Sequence, residues 1–112
     1  MPGPLEGIKV LDFTHWGVGP WGASLLAQMG ADVLKIEPQE GDWISRQPPP
    51  YKNGITTTYI ACNLNKRIAI LDPREERDRQ VIYKLLETAD VIVENRRPGY
   101  MERRGLDYET VS

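Results

Sequence analysis

The sequence predicts an α/β fold, a parallel β-sheet with flanking helices, and three observations predict it. Short runs rich in β-branched and apolar residues recur at IKVLDF (8–13), ADVLKIE (31–37), RIAILD (67–72) and DVIVEN (90–95). A helical pattern stands between the first two runs and another between the last two. The connections inside these units are short, and two strands joined through one helix lie parallel with a right-handed crossover.

Each element has its own signals. IKVLDF lies between Gly7 and a Thr-His-Trp turn. PWGASLLAQMG follows as a helix: Leu25, Leu26 and Met29 recur at helical spacing, Pro20 suits the first turn, and Gly30 suits a left-handed stop. ADVLKIE is the second strand, and Pro38 ends it. Residues 38–67 then break the rhythm. With Pro48-Pro49-Pro50 and Asn53-Gly54 they read as a long loop, which Trp43 and Tyr51 favour as packed. RIAILD is the third strand of the pattern. PREERDRQVIYKLLETA is a helix with Pro73 in its first turn behind Asp72 as N-cap. Its apolar stripe is Val81, Ile82, Leu85 and Leu86, and the alternating charges from Arg74 to Arg79 read as a solvated face. DVIVEN is the fourth strand. RRPGYMERRG is a loop into a short helix stopped at Gly105. Asp107 suits the cap of a last helix, YETVS, which ends with the chain after about one turn, too little to nucleate alone. Residues 1–112 therefore read as one domain, the N-terminal part of a longer protein. With the sheet faces half covered, apolar surface should be exposed.

Composition narrows the function. The net charge of -2 gives no overall field for nucleic acid or an acidic membrane. No run approaches the roughly 20 apolar residues of a membrane span. MPGPLEG has neither the basic nor the apolar region of a signal peptide, so the expectation is a soluble, cytoplasmic protein. The single cysteine, Cys62, excludes an internal disulfide, fits a reducing compartment and reads as a small buried residue. His15 is the one histidine, so the chain holds no His-based triad or metal cluster. Asp12, Asp32, Asp72 and Asp90 read as strand-edge or cap residues, and Glu94 as a structural hydrogen-bonder.

Gly17, Gly19 and Gly22 spell G-x-G-x-x-G, and Glu37 closes the next apolar run, as in a dinucleotide fingerprint. The entry geometry is unlike it. Thr14, His15 and Trp16 intervene after the strand, Pro20 removes a backbone N–H, and Trp21 adds bulk where a phosphate would approach. From the residues, NAD binding and a wide turn with close helix–sheet packing both stay open.

The blocks PLEGIKVLDFTHWGVGPWGASLLAQMGADVLKIEPQEGD, NLNKRIAILD and ADVIVENRRPGYMERRGLDYE, in this order and spacing, resemble the N-terminal region of the class III CoA-transferases. That family includes formyl-CoA transferase, the carnitine CoA-transferases of the CaiB/BaiF type and α-methylacyl-CoA racemase. The resemblance covers nearly the whole chain. It implies a Rossmann-like domain that binds coenzyme A or acyl-CoA as substrate, with a carboxylate as the other small-molecule partner and no metal. It also implies an interlocked homodimer and a catalytic Asp that attacks the acyl-CoA carbonyl to form a mixed anhydride. That Asp lies beyond the ADVIVENRRPG block by more than the chain has left, so the chain alone is expected to be inactive. The long middle segment resembles the transferases more than the racemases. A racemase of the same superfamily and a non-catalytic CoA-binding subunit remain the alternatives.

Carried over by position, His15, Trp16, Gly17 and Val18 match the segment facing the thioester. Formyl-CoA transferase has Gln where Gly17 stands, which argues against an oxalate/formate substrate. Pro38 stands where some relatives place an Arg that touches CoA. Leu71, Asp72, Pro73 and Arg74 match a segment lining the nucleotide, with Arg74 as its cation. Asn95 and Arg96 match residues beside CoA, and Arg103 a basic residue near the phosphates. The physics is compatible: guanidinium forks suit a pyrophosphate and a 3′-phosphate, and Arg74, Arg96, Arg97, Arg103 and Arg104 all follow strands. Trp16 and Trp21 suit stacking on adenine, lining an acyl pocket, or packing.

Overall fold

A computed structural model describes residues 3–15, 18–38, 51–52 and 55–111. In chain order the elements are β1 (Lys9–Asp12), α1 (Val18–Gln28), β2 (Asp32–Glu37), β3 (Tyr51–Lys52), β4 (Ile55–Thr56) and α2 (Thr57–Cys62). These are followed by β5 (Arg67–Ile70), α3 (Glu76–Leu86), β6 (Val91–Val93), α4 (Tyr100–Arg103) and α5 (Tyr108–Val111). Strands β5-β2-β1-β6, in that order, form a four-stranded, fully parallel sheet. Leu11 stands level with Leu34 on one side and Ile92 on the other, which places β1 in the sheet's interior.

Alternation along β1 and β2 sends successive side chains to opposite faces. Val10 and Val33 meet Ala27 and Ala31 on the α1 side. Leu11, Phe13 and Ile36 meet Ile82 of α3, Met101 of α4 and Leu106 on the other. Small residues at Ala23, Ser24 and Ala27 let α1 lie close to the strands. Gly30 ends α1 with φ +106°; a Cβ at Gly30 would crowd the Gly3 backbone, and a Cβ at Gly3 would run into the Met29 carbonyl. The apolar edges are open: Ile70 is 57% and Val91 41% exposed, as a half-covered sheet predicts. No helix among the described residues is long and apolar enough to cross a membrane.

Three local expectations need correction. Residues 38–67 are more than a loop: β3 and β4 pair antiparallel, Tyr51 opposite Thr56, and α2 follows. The β-branched start of α2 hides its helicity from propensity, and packing against α1 supplies it. Trp43, Pro48-Pro49-Pro50, Asn53-Gly54 and the Tyr51 side chain lie outside the described residues. Second, Asp72 does not cap α3. The helix begins at Glu76 behind Glu75, while Glu75 N–H donates to the Asp72 carbonyl and closes a separate turn. Third, Val81 faces outward at 43% exposure, and Tyr83 packs in its place with its hydroxyl donating to the Gly105 carbonyl at 2.8 Å.

Candidate functional site

The chain runs from β1 to β2 and β5 on one side, then returns to place β6 on the other side of β1. The strand order therefore reverses between β1 and β6. Beyond the carboxyl ends of parallel strands, such a switch point opens a crevice where ligands bind. Three neighbouring features stand there: a basic cleft, a clamped turn and a buried ion network.

The cleft, of about 190 Å³, lies on the α3 side and is lined by Phe13, Ile36, Pro38, Asp72, Pro73, Arg74, Arg96, Tyr100 and Arg104. It holds three guanidinium groups against one carboxylate, an excess of positive charge. Arg104 stacks 3.7 Å from the Tyr100 ring centre, Arg96 stands 4.9 Å from it, and Arg104 also donates to the Tyr100 carbonyl. Arg96 Nε donates to the Phe13 carbonyl at 3.1 Å, fastening the end of β6 to that of β1. Arg104 Nε is buried with no hydrogen-bond partner among the described residues. Through Arg96 the cleft adjoins a wider groove of about 460 Å³ that includes Glu94, Arg97, Gly99 and Tyr108. Guanidinium groups held in place in such a cleft suit a phosphate-bearing ligand.

Arg74 forms a fork on Asp72, with Nη2 2.8 Å and Nε 3.2 Å from Oδ2, while its backbone N–H donates to Oδ1. The Arg74 side-chain hydrogen bond, ahead of all other causes, holds the Asp72 carboxyl below its ordinary range, against a smaller upward push from burial. A carboxyl lowered on folding stabilises the fold above its unfolded value of about 4 and loses that contribution as pH falls through the lower folded value. The unfolding midpoint should therefore drop below about pH 4, and Asp72→Asn should flatten that limb. Equal acid sensitivity of the two proteins, measured by urea unfolding between pH 2 and 6, would count against the pair.

The turn after β1 is held by Asn95. Its amide accepts from His15 N–H at 3.1 Å, donates to the His15 carbonyl at 3.0 Å, and places Oδ1 3.2 Å from His15 Nδ1. Both amide atoms are thus occupied by His15. Gly19 makes this possible, because a Cβ there would lie 2.7 Å from Asn95 Nδ2 and 3.0 Å from Thr14 Cβ. The middle glycine of the G-x-G-x-x-G pattern serves close approach of protein to protein.

On the opposite, α1 face of the sheet lies a polar network. Lys66 Nζ sits 2.7 Å from Asp12 Oδ2 with both side chains fully buried. It also donates to Asn63 Oδ1 at 2.9 Å, which accepts from Lys35 Nζ at 2.8 Å. Lys35 stands 3.5 Å from Glu37, whose Oε1 accepts from the Tyr59 hydroxyl. Asp12 accepts from the Thr14 N–H at 2.8 Å and from the Thr14 hydroxyl. Asp12, read from sequence as an edge or cap residue, is instead a buried ion-pair member. The available signal was its place after Val10 on the inward face, matched by Lys35 across the register and by a lysine in NLNKR.

Among the expected site residues, Asp72, Pro73, Arg74, Arg96 and Pro38 meet in the cleft, and Arg104 joins them. Leu71 packs into the adjoining core, and Asn95 and His15 form the neighbouring clamp. Val18 opens α1 and is 85% exposed. Arg103 lies over Gly99, and Arg97 lines the wider groove. Trp16 and Gly17 lie outside the described residues, while Trp21 is exposed on α1. No group of three metal-ligating side chains occurs among the described residues.

Comparison with known proteins adds the following. The family model of CoA-transferase family III matches residues 5–112. A formyl-CoA:oxalate CoA-transferase of Rhodopseudomonas palustris (strain BisA53) is 39% identical over 108 residues, which is 96% of this chain and 25% of that protein. A succinyl-CoA:mesaconate CoA-transferase of Haloarcula hispanica is 41% identical over 113 residues, 97% of this chain and 28% of that protein. A crystal structure of a CaiB/BaiF family protein from Brucella suis superposes with a TM-score of 0.93 at 36% identity, over 99% of this chain and 30% of that one. The chain thus spans between a quarter and a third of the length of these proteins.

Proposed function

Because the chain belongs to CoA-transferase family III, we propose that it forms the CoA-binding part of an enzyme that moves CoA between carboxylic acids. The observation that carries this reading is the convergence of Arg74, Arg96 and Arg104 on one cleft beyond the strand ends. CoA brings a pyrophosphate and a 3′-phosphate, both suited to guanidinium forks. In this reading the nucleotide half lies in and beside the cleft, and the thioester end reaches the turn at Thr14 and His15. An Asp outside residues 1–112 attacks the acyl-CoA carbonyl and expels the CoA thiolate, leaving a mixed anhydride. The thiolate attacks the Asp carbonyl and releases the donor carboxylate, and the acceptor carboxylate takes CoA from the resulting aspartyl thioester by the same two steps in reverse. The chain contributes binding and orientation. Alone it binds CoA without turnover, and the whole enzyme works as a cytoplasmic homodimer. The two relatives compared are both named as CoA-transferases, which favours transfer over the racemase alternative. Both names pair CoA with a dicarboxylic acid, so a dicarboxylate is the first acceptor to try.

Titration calorimetry tests the reading. CoA should bind, and removing its 3′-phosphate should weaken binding about 10- to 100-fold, the worth of one charge-assisted contact. NAD should give no comparable heat. Binding of NAD with no response to CoA would sink the proposal and return the glycine motif to its dinucleotide meaning.

A further inference from the structure

We propose that Lys66 is a positioning residue for CoA transfer, holding Thr14 and Pro20 on either side of the reacting end of the site from the opposite face of the sheet. The inference rests on the CoA-transferase reading above. The Lys66 side chain is fully buried, so it reaches neither solvent nor ligand. Its Nζ stands 2.7 Å from Asp12 Oδ2 and donates to the Pro20 carbonyl at 2.8 Å. Asp12 in turn holds the N–H and hydroxyl of Thr14. One ammonium thereby grips the connection at both ends, at Thr14 through Asp12 and at Pro20 directly. Between these points lies His15, whose backbone is clamped by Asn95 in the loop after β6.

The arrangement separates two tasks. The arginine cleft is built on Phe13 and Ile36, which project to the α3 face. Lys66 and Asp12 lie on the α1 face, where Val10 and Val33 project. Loosening the connection should therefore leave nucleotide binding intact and disturb the orientation of the reacting group. Interactions that orient without adding ground-state affinity appear in kcat and leave KM alone. A buried ion pair is weak evidence for added stability, since an apolar pair of similar volume often serves as well. Its directionality is what fixes a backbone carbonyl at one end and a turn at the other.

The test uses the whole protein in a steady-state acyl-CoA:carboxylate CoA-transfer assay. The principal variant is the double substitution D12N/K66M, which removes both buried charges together and keeps an acceptor for Thr14. Its kcat should fall about 10- to 100-fold, with KM for acyl-CoA and Kd for CoA within about threefold of wild type. Arg74→Ala should show the opposite split, raising KM. A folded double variant with wild-type kcat overturns the proposal. So does a parallel loss of CoA affinity, which would make Lys66 general scaffolding. If the double variant does not fold, Thr14→Val decides, since it removes one hydroxyl contact to Asp12 and leaves the buried charge pair whole: its kcat should drop about 3- to 10-fold at unchanged KM, and an unchanged kcat overturns the proposal. A wild-type protein that neither binds CoA nor transfers it removes the underlying reading, an outcome distinct from losses confined to the variants.

Discussion

Replacing Asp12 with alanine is expected to lower the unfolding free energy by about 3–5 kcal/mol. The Lys66 ammonium would remain fully buried with its counter-ion gone. The N–H and hydroxyl of Thr14 would lose their shared acceptor, and Thr14 is 1% exposed, so water does not readily replace it. Typical domains are stable by only about 5–15 kcal/mol, so this one change threatens folding. The surface pair Arg67–Asp32 gives the contrast. It is bidentate, at 2.8 Å to each oxygen, but its side chains are 68% and 46% exposed. Asp32→Ala should cost under about 1 kcal/mol. Urea unfolding with an unchanged slope separates the two cases, and similar midpoints for both variants would contradict the assigned burial.

The second large effect concerns ligand affinity. Arg96→Ala and Arg104→Ala should each raise the Kd for CoA about 10- to 100-fold, since a hydrogen bond to a charged group contributes roughly 1.5–3 kcal/mol. Both guanidinium groups are already oriented, Arg104 by its stack on Tyr100 and Arg96 by the Phe13 carbonyl, so little ordering cost offsets the contact. Arg74 is shared with Asp72 and should matter less. Arg103 lies over Gly99, so Arg103→Ala should change Kd no more than about twofold, the size of an exposed-charge effect. Calorimetry at two salt concentrations checks the series. Equal losses at Arg103 and Arg104 would mean that CoA approaches from another side of α4.

These expectations also mark what could be read before any coordinates. The four strands of the main sheet, the α1 helix and its stop at Gly30 were legible because their signals are local: runs rich in β-branched and apolar residues, helical spacing, a residue free to adopt positive φ. The edge where Arg74 and Arg96 gather was legible too, since parallel strands put their following loops at one end of the sheet. The choice between Arg103 and Arg104 was not. Adjacent residues on a helix project about 100° apart, and nothing within a four-residue helix tells which side meets the cleft. The clamp of Asn95 on the His15 backbone was not legible either, because it joins two loops 80 positions apart in the chain.

By itself the sequence determined a parallel sheet with helices on both faces and a cationic edge beyond its strands. Those properties follow from apolar runs, helical spacing and residue type within short windows. Only the tertiary structure decided which polar groups are buried and whom they meet. Asp12 ends β1 and Lys66 stands just before β5, with α1, β2, β3, β4 and α2 between them in the chain, and their pairing exists only once β5 is laid beside β2 and α1 covers the sheet. A charge carries no local mark of its burial. Its cost or its use depends on the solvent excluded around it, and that is settled by packing between distant parts of the chain.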